Sequence, residues 1–194
     1  MFESVDILGI HRLDNIFNKE ECDRIIDYHK EWESELGTTF FIKENKSTDE
    51  KYREVTLYNP QKNIVMSGKI NWILDAIMKA IHSSNEHYKF DIKGIIEYPN
   101  IMKYNAPSGK YDYHLDIGSE KPYCWRKLSY TIMLNDNYKG GILEFASTEE
   151  TGASFPNETG KMIIFPSFLR HRVTTITEGI RWALVGWISG NSFK

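Results

Sequence analysis

The sequence predicts an α+β domain, with two amphipathic helices followed by a sandwich or barrel of about seven or eight short strands. Three observations predict it. Before residue 94, apolar residues recur at helical spacing in two stretches. From Gly94 onward, short β-rich runs follow one another at regular spacing, with turn residues and no helical pattern between them. No repeat, low-complexity tract or Pro/Gly-rich linker divides the 194 residues, so one domain is expected over 1–194, with a helical part at 1–93 and a strand-rich core at 94–190. Helices first and strands after place the helices on one face of a sheet.

The first helix is announced by Asn18 and Glu21, which stand at capping-box spacing. Behind them Cys22, Ile25, Ile26, His29 and Trp32 form one apolar stripe, in which His29 reads as a packed core histidine. A second stripe runs Ile70, Ile73, Leu74, Ile77, Ile81. Between the helices, Gly37 to Pro60 is polar and irregular, with β-like patches at Thr38–Ile42 and Val55–Tyr58; long connections of this kind often act as lids or binding loops. The later strands are expected at Ile95–Tyr104, Tyr111–Asp116, Lys127–Leu134, Ile142–Ala146, Lys161–Phe165, His171–Ile176 and Arg181–Ser189. Turn signals such as Pro107-Ser108-Gly109, Gly140-Gly141 and Glu178-Gly179 separate them.

Composition narrows the function classes. The net charge is −3, and no long basic run exists to neutralise phosphates, which counts against a dedicated nucleic-acid partner. Cys22 and Cys124 form neither a CxxC pair nor a disulfide ladder, as expected in a reducing compartment. The N-terminus lacks the basic start and apolar run of a signal peptide. The apolar stretch Trp182 to Ile188 is far shorter than the ~20 residues of a membrane helix. A cytoplasmic chain without membrane attachment is expected. G-x-S-x-G, Walker A and G-x-G-x-x-G motifs are absent, so serine hydrolase, P-loop and Rossmann readings have no support.

The candidate chemistry lies in two clusters. The first is His114-Leu115-Asp116. Residues two apart on a strand share a face, so an imidazole and a carboxylate could enter the same space as adjacent metal ligands. A second histidine would complete a 2-His-1-carboxylate facial triad with open coordination positions. Chance supplies an H-x-D in about three of ten chains of this composition, so its meaning depends on a second cluster. That cluster is His171, opening a β-like run after the Pro166 turn, with Arg181 ten residues on at the head of an apolar strand. A buried guanidinium wants a carboxylate, which its fork binds bidentately. The other reading of Arg181 is a strand-edge residue paired with Glu178. His11, His82 and His87 have no partners at ligand spacing and read as surface.

Together, His114-x-Asp116, His171 and Arg181 resemble the 2-oxoglutarate and Fe(II)-dependent dioxygenases, most closely the prolyl 4-hydroxylase-like branch. Four further segments agree: Tyr104 to His114 with Gly109 and Tyr111, Arg126 to Asn135, Gly140-Gly141-Ile142-Leu143-Glu144-Phe145, and Gly160 to Ser167. The resemblance covers roughly residues 94–190.

It implies a double-stranded β-helix, or jelly roll, of about eight strands with the N-terminal helices packed on one sheet. It implies Fe(II) held by His114, Asp116 and His171, with O2 as oxidant and ascorbate as reductant. It also implies 2-oxoglutarate chelating the iron through its 1-carboxylate and 2-keto oxygen. The distal carboxylate would meet Arg181 and the Tyr104 hydroxyl. Met133 stands where relatives often carry a tyrosine for that carboxylate.

The implied reaction is hydroxylation of a C–H bond, with a prolyl residue in a peptide or protein as target and release of succinate and CO2. Trp187, Arg126 and Arg53 are candidate substrate contacts; core packing is the other reading of Trp187, and solvated charge that of Arg53. Hydroxylation of a free amino acid or other small molecule is the alternative within the fold. A non-catalytic cupin-like module or a zinc hydrolase is the alternative outside it, and neither needs a cation at Arg181. The arginine pair of the nucleic-acid demethylases is missing from Arg181 to Trp187.

Overall fold

The computed structural model describes residues 3–5, 9–37, 53–60, 62–146 and 154–193. The β-like patch Thr38–Ile42 and the 38–52 part of the candidate lid Gly37–Tyr58 therefore lie outside the described residues.

Helix α1 (Lys19–Asp27) starts at a complete capping box. The Asn18 side chain accepts from the Glu21 N–H at 2.9 Å, and the Glu21 carboxylate accepts the Asn18 N–H at 2.8 Å. Two N-terminal donors that lack intrahelical partners are satisfied this way. A short helix α2 (Lys62–Met66) leads into α3 (Asn71–Tyr88), whose Ile73, Ile77 and Ile81 are fully buried.

The strands of the N-terminal part are β1 (Glu3–Val5), β2 (Ile10–Leu13), β3 (Glu33–Leu36), β4 (Arg53–Glu54), β5 (Thr56–Asn59) and β6 (Ile92–Gly94). Then follow β7 (Asn100–Asn105), β8 (Lys110–His114), β9 (Arg126–Met133), β10 (Lys139–Gly140) and β11 (Leu143–Phe145). The last are β12 (Ser154–Phe155), β13 (Met162–Pro166), β14 (His171–Val173), β15 (Ile176–Glu178) and β16 (Ile180–Gly190). All seven runs expected after Gly94 form strands.

A major sheet is ordered β1-β2-β13-β9-β16-β7-β5-β3, with β6 also on β16, and a minor sheet β12-β11-β14-β8-β4. Every pairing is antiparallel, and neighbours in each sheet are mostly distant in sequence, as in a double-stranded β-helix. Strand alternation sends β9 and β16 in two directions. Leu128, Ile132, Leu184 and Ile188 join the core beneath α1 and α3. Met133 and Trp187 face the other way, into a second core shared with Phe145 and Val173 of the minor sheet. Phe145 and Phe165 meet across the two sheets edge to face at 4.8 Å.

His11 departs from its surface reading. It lies on β2 opposite Ile164 of β13, is buried, and stacks on Tyr88 at 4.5 Å. His82 and His87 are exposed, and His29 packs half-buried against Trp182. Among the described residues no helix is long and apolar enough to cross a membrane.

Candidate metal and co-substrate site

The two histidines arrive from neighbouring strands of the minor sheet. His114 ends β8, His171 opens β14, and the two are direct partners in the antiparallel register, with ring centroids 4.2 Å apart. Asp116 lies just beyond the end of β8, where its N–H donates to Ser167 O at 3.1 Å. Its Oδ1 is 3.7 Å from His114 Nε2 and its Oδ2 3.5 Å from His171 Nε2. One ligand atom from each of the three residues falls within 4.8 Å of the others. The strand ends two residues before Asp116, short of what parity requires, and a loop contact delivers the carboxylate.

Each imidazole is oriented from behind. His114 Nδ1 is 2.7 Å from Asp112 O, and His171 Nδ1 is 2.9 Å from Leu169 O. A carbonyl can only accept, so both rings carry a proton on Nδ1 and turn Nε2 toward Asp116. Burial first, and then the neighbouring His171, push His114 down to about 3, which keeps it neutral and able to coordinate at neutral pH. Burial alone would raise the Asp116 carboxyl. Attraction to His171 and His114 when those rings are protonated, then the Arg126 charge and a Ser129 hydrogen bond, outweigh it and hold the group below the usual carboxylate range. Two imidazoles that turn Nε2 inward and one carboxylate on one side of a cavity fit a facial triad for Fe(II).

Arg181 is the second residue of β16, an interior strand of the major sheet, and its register partner is on β7. Glu178 is paired instead with Lys139 at 2.8 Å. Arg181 is 1% exposed, and its Nε and Nη1 are buried without a hydrogen-bond partner among the described residues. An uncompensated buried guanidinium is costly, so the site fits an anionic ligand that none of the described residues provides.

The surrounding sequence is arranged for this side chain. Asn135 Nδ2 donates to Ile180 O at 2.8 Å while its Oδ1 accepts the Trp182 N–H at 2.8 Å, pinning the backbone on both sides of Arg181. Gly141 has φ +63°; a Cβ there would collide with Ile176 and come within 2.9 Å of Arg181 Cδ. Tyr104, the register partner of Arg181, is fully buried, with the guanidinium carbon 5.1 Å from its ring centroid. Burial raises the Tyr104 phenol, opposed by the Arg181 charge.

A cavity of about 1210 Å³ is lined by the triad, Arg181 and Tyr104, and also by Trp187, Arg126 and Arg53. Arg126 is engaged on every side. Its Nε and Nη2 donate to Glu97 at 2.8 and 2.5 Å, its Nη1 donates to Asp116 O at 3.1 Å, and its guanidinium carbon lies 3.5 Å from the Trp187 ring centroid. Trp187 is 8% exposed, and its indole N–H is buried without a partner among the described residues. Arg53, half-buried on β4, covers the Tyr111 ring at 4.3 Å, and Tyr111 in turn stacks on His114 at 3.5 Å. A bulge between β8 and β14 makes this stack, because three steps from Tyr111 to His114 match only two on the partner strand.

Residues 99–189 match the profile of the 2OG-Fe(II) oxygenase superfamily. That segment, a little under half of the chain, is similar to this superfamily. A PKHD-type hydroxylase of Rippkaea orientalis is 45% identical over 84 residues, covering 40% of this chain and 36% of that protein. The chain spans well under half the length of the first such curated relatives, 36 to 42%. Among solved structures, a Pseudomonas putida prolyl-4-hydroxylase superposes with a TM-score of 0.70 at 17% identity, over 96% of this chain and 95% of that one. A Trichoplax adhaerens prolyl hydroxylase in complex with a hypoxia inducible factor peptide fragment gives 0.75 at 15% identity, over 95% and 85%. The fold is therefore the one found in these two prolyl hydroxylases.

Several residues around this site have no motif to betray them. Ser129 and Ser167 touch Asp116 through hydroxyl and backbone. Thr131 lines the cavity with a buried hydroxyl that has no partner among the described residues. Their only signal in sequence is parity on one strand, since Ser129 and Thr131 lie two apart on β9. Tyr138 packs beside Arg181 near Gly141, and burial raises its phenol against the Arg181 charge.

Proposed function

We propose that the chain is a 2-oxoglutarate- and Fe(II)-dependent dioxygenase that hydroxylates a prolyl residue in a peptide or protein, releasing succinate and CO2. The observation that carries this is one cavity lined both by the His114–Asp116–His171 set and by Arg181, a buried cation with unpaired donors. A zinc hydrolase or a passive cupin-like module has no use for that cation.

In this reading His114, Asp116 and His171 hold the iron, which supplies the oxidising chemistry when bound. Arg181 takes the distal carboxylate of 2-oxoglutarate as a charge-assisted bidentate pair, with the Tyr104 hydroxyl beside it. Ascorbate would keep the iron reduced between turnovers. Apolar walls from Phe165, Val173 and Val185 reduce water at the reacting centre. The free thiols Cys22 and Cys124 fit a cytoplasmic setting.

A peptide is favoured over a free amino acid by the size of the cavity and by its aromatic lining, where Tyr98, Tyr113, Tyr123 and Trp187 offer more contact length than a single amino acid uses. The peptide bound by the Trichoplax protein supports the same reading. Trp187 would form one wall for the target ring. Arg126 holds that wall in place, and Arg53 flanks the opening. The test is succinate formation, with mass spectrometry for gain of one oxygen atom, run in parallel on proline-rich peptides and free amino acids. Product on peptides alone is expected; product on a free amino acid with none on any peptide would replace the prolyl reading and leave the iron and 2-oxoglutarate roles standing.

A further inference from the structure

Asp116 is held from three sides. Its N–H donates to Ser167 O at 3.1 Å, its C=O accepts from Arg126 Nη1 at 3.1 Å, and its Oδ2 accepts the Ser129 hydroxyl at 2.6 Å. Behind that bond the Ser167 hydroxyl lies 2.9 Å from Ser129 Oγ. Ser129 has one proton and spends it on the carboxylate, so Ser167 must donate to Ser129. Both serines are essentially fully buried, so water does not compete for these bonds. The bonds treat the two carboxylate oxygens differently. Oδ2 accepts the Ser129 hydroxyl and lies 3.5 Å from His171 Nε2, whereas Oδ1 receives no hydrogen bond among the described residues and lies 3.7 Å from His114 Nε2.

We propose that the Ser129–Ser167 hydroxyl pair is a positioning device that restricts Asp116 to one-oxygen coordination through Oδ1. This rests on the Fe(II) reading above. A carboxylate free to turn can bind a metal with both oxygens, as ligands of flexible sites do. In an octahedral site the facial triad leaves three positions open, and a chelating co-substrate takes two. A second oxygen from Asp116 would close the last one. Tying up Oδ2 with a short bond, itself polarised by a second hydroxyl, keeps that position free. Ser129 and Ser167 act through Asp116 and touch no reacting atom.

Cobalt(II), whose visible absorption reports its coordination, is the probe, used on the intact chain without substrate. Loss of an outer-shell partner typically weakens metal binding about 10- to 100-fold. Ser129→Ala should weaken Co(II) binding by that factor and change the shape of the absorption band, while Ser129→Thr, which keeps the hydroxyl, stays within about threefold of wild type. Ser167→Ala should fall between them. Circular dichroism of the metal-free proteins checks folding, and if Ser129→Ala does not fold, Ser129→Cys, similar in size and a poor donor, carries the same expectation. Affinity and band unchanged in the donor-free variants would overturn the proposal. So would equal losses in the Ala and Thr variants, which would assign the position to packing. A wild-type chain that takes up no Co(II) would overturn the parent reading and this one with it, whereas binding that is lost in Asp116→Ala but indifferent to Ser129 would overturn this one alone.

Discussion

His114 and His171 are direct partners across the antiparallel pair β8–β14, and each ties its Nδ1 to the carbonyl two residues earlier in its own chain, Asp112 O at 2.7 Å and Leu169 O at 2.9 Å. The local device is repeated on two strands, so both rings present the same nitrogen to one point. Asp116 closes the triangle from the loop that follows β8.

Asp116 is the sole anion of the set, and two neutral imidazoles alone hold a divalent ion poorly. Asp116→Ala is expected to lose Co(II) or Mn(II) binding by orders of magnitude, with its far-ultraviolet circular dichroism unchanged. Isothermal titration measures it, and near-wild-type affinity would remove Asp116 from the ligand set.

Arg181 and Gly141 should act together on 2-oxoglutarate. Arg181→Ala removes one partner of a charge-assisted pair, a loss of ~2–5 kcal/mol in binding. Gly141→Ala leaves the guanidinium in place but forces its stem aside, because the new methyl would come within 2.9 Å of Arg181 Cδ. Displacing a binding group by about 1 Å can cost up to roughly 100-fold in function, so Gly141→Ala should weaken 2-oxoglutarate about 10-fold or more and leave Co(II) affinity unchanged. Equal 2-oxoglutarate affinity in Gly141→Ala and wild type would show that the Gly-Gly turn serves the backbone alone.

Arg126 is expected to matter to stability as well as to the site. Arg126→Met strands Glu97, which is 21% exposed, and removes the donor to Asp116 O. Breaking a buried pair costs ~3–5 kcal/mol, and the partial exposure of Glu97 puts this case at the lower end, near 3. Urea unfolding of the metal-free protein checks it; a loss under about 1 kcal/mol would mean that the pair is solvated in practice.

Alkaline pH should destabilise the protein in a defined window. Burial pushes the Cys22 thiol up from 9.0 to about 11. The folded state keeps a proton that the unfolded chain releases, so this contribution is complete below about pH 9 and is lost as pH rises through about 11. Tyr104 and Tyr111, both raised by burial, add in the same sense above their ordinary value of 10.0. Urea midpoints should hold below pH ~9 and fall progressively above it. Iodoacetamide at about pH 8 should label Cys124 and spare Cys22 in the folded chain. A flat midpoint through this window, or native labelling of Cys22, would contradict the burial.

The sequence made the site legible where chemistry forces residue type and obscured it where geometry does the work. His114, Asp116, His171 and Arg181 could be read because few other side chains can ligate a metal or bind a carboxylate. The Asn18–Glu21 box and the Ile73–Ile77–Ile81 stripe could be read because helix period and capping chemistry are strict. Strand β3 could not, since all four of its residues are exposed and no alternation marks them. Strand β2 hid because its buried pattern includes a histidine. The Tyr111–His114 stack was invisible for a different reason: odd spacing puts two residues on opposite faces unless a bulge intervenes, and bulges leave no residue signature here. The serines behind Asp116 were hidden because hydroxyls occur everywhere and only the fold brings these two together.

The most direct test of the account is anaerobic titration of 2-oxoglutarate into the Fe(II)-loaded protein, followed by visible absorption. Chelation by the keto acid at a facial triad gives a metal-to-ligand charge-transfer band. The account predicts that the band appears and saturates in wild type, is absent in Asp116→Ala, and needs far more 2-oxoglutarate in Arg181→Ala. No band in the wild-type protein, or an identical midpoint in Arg181→Ala, would contradict it.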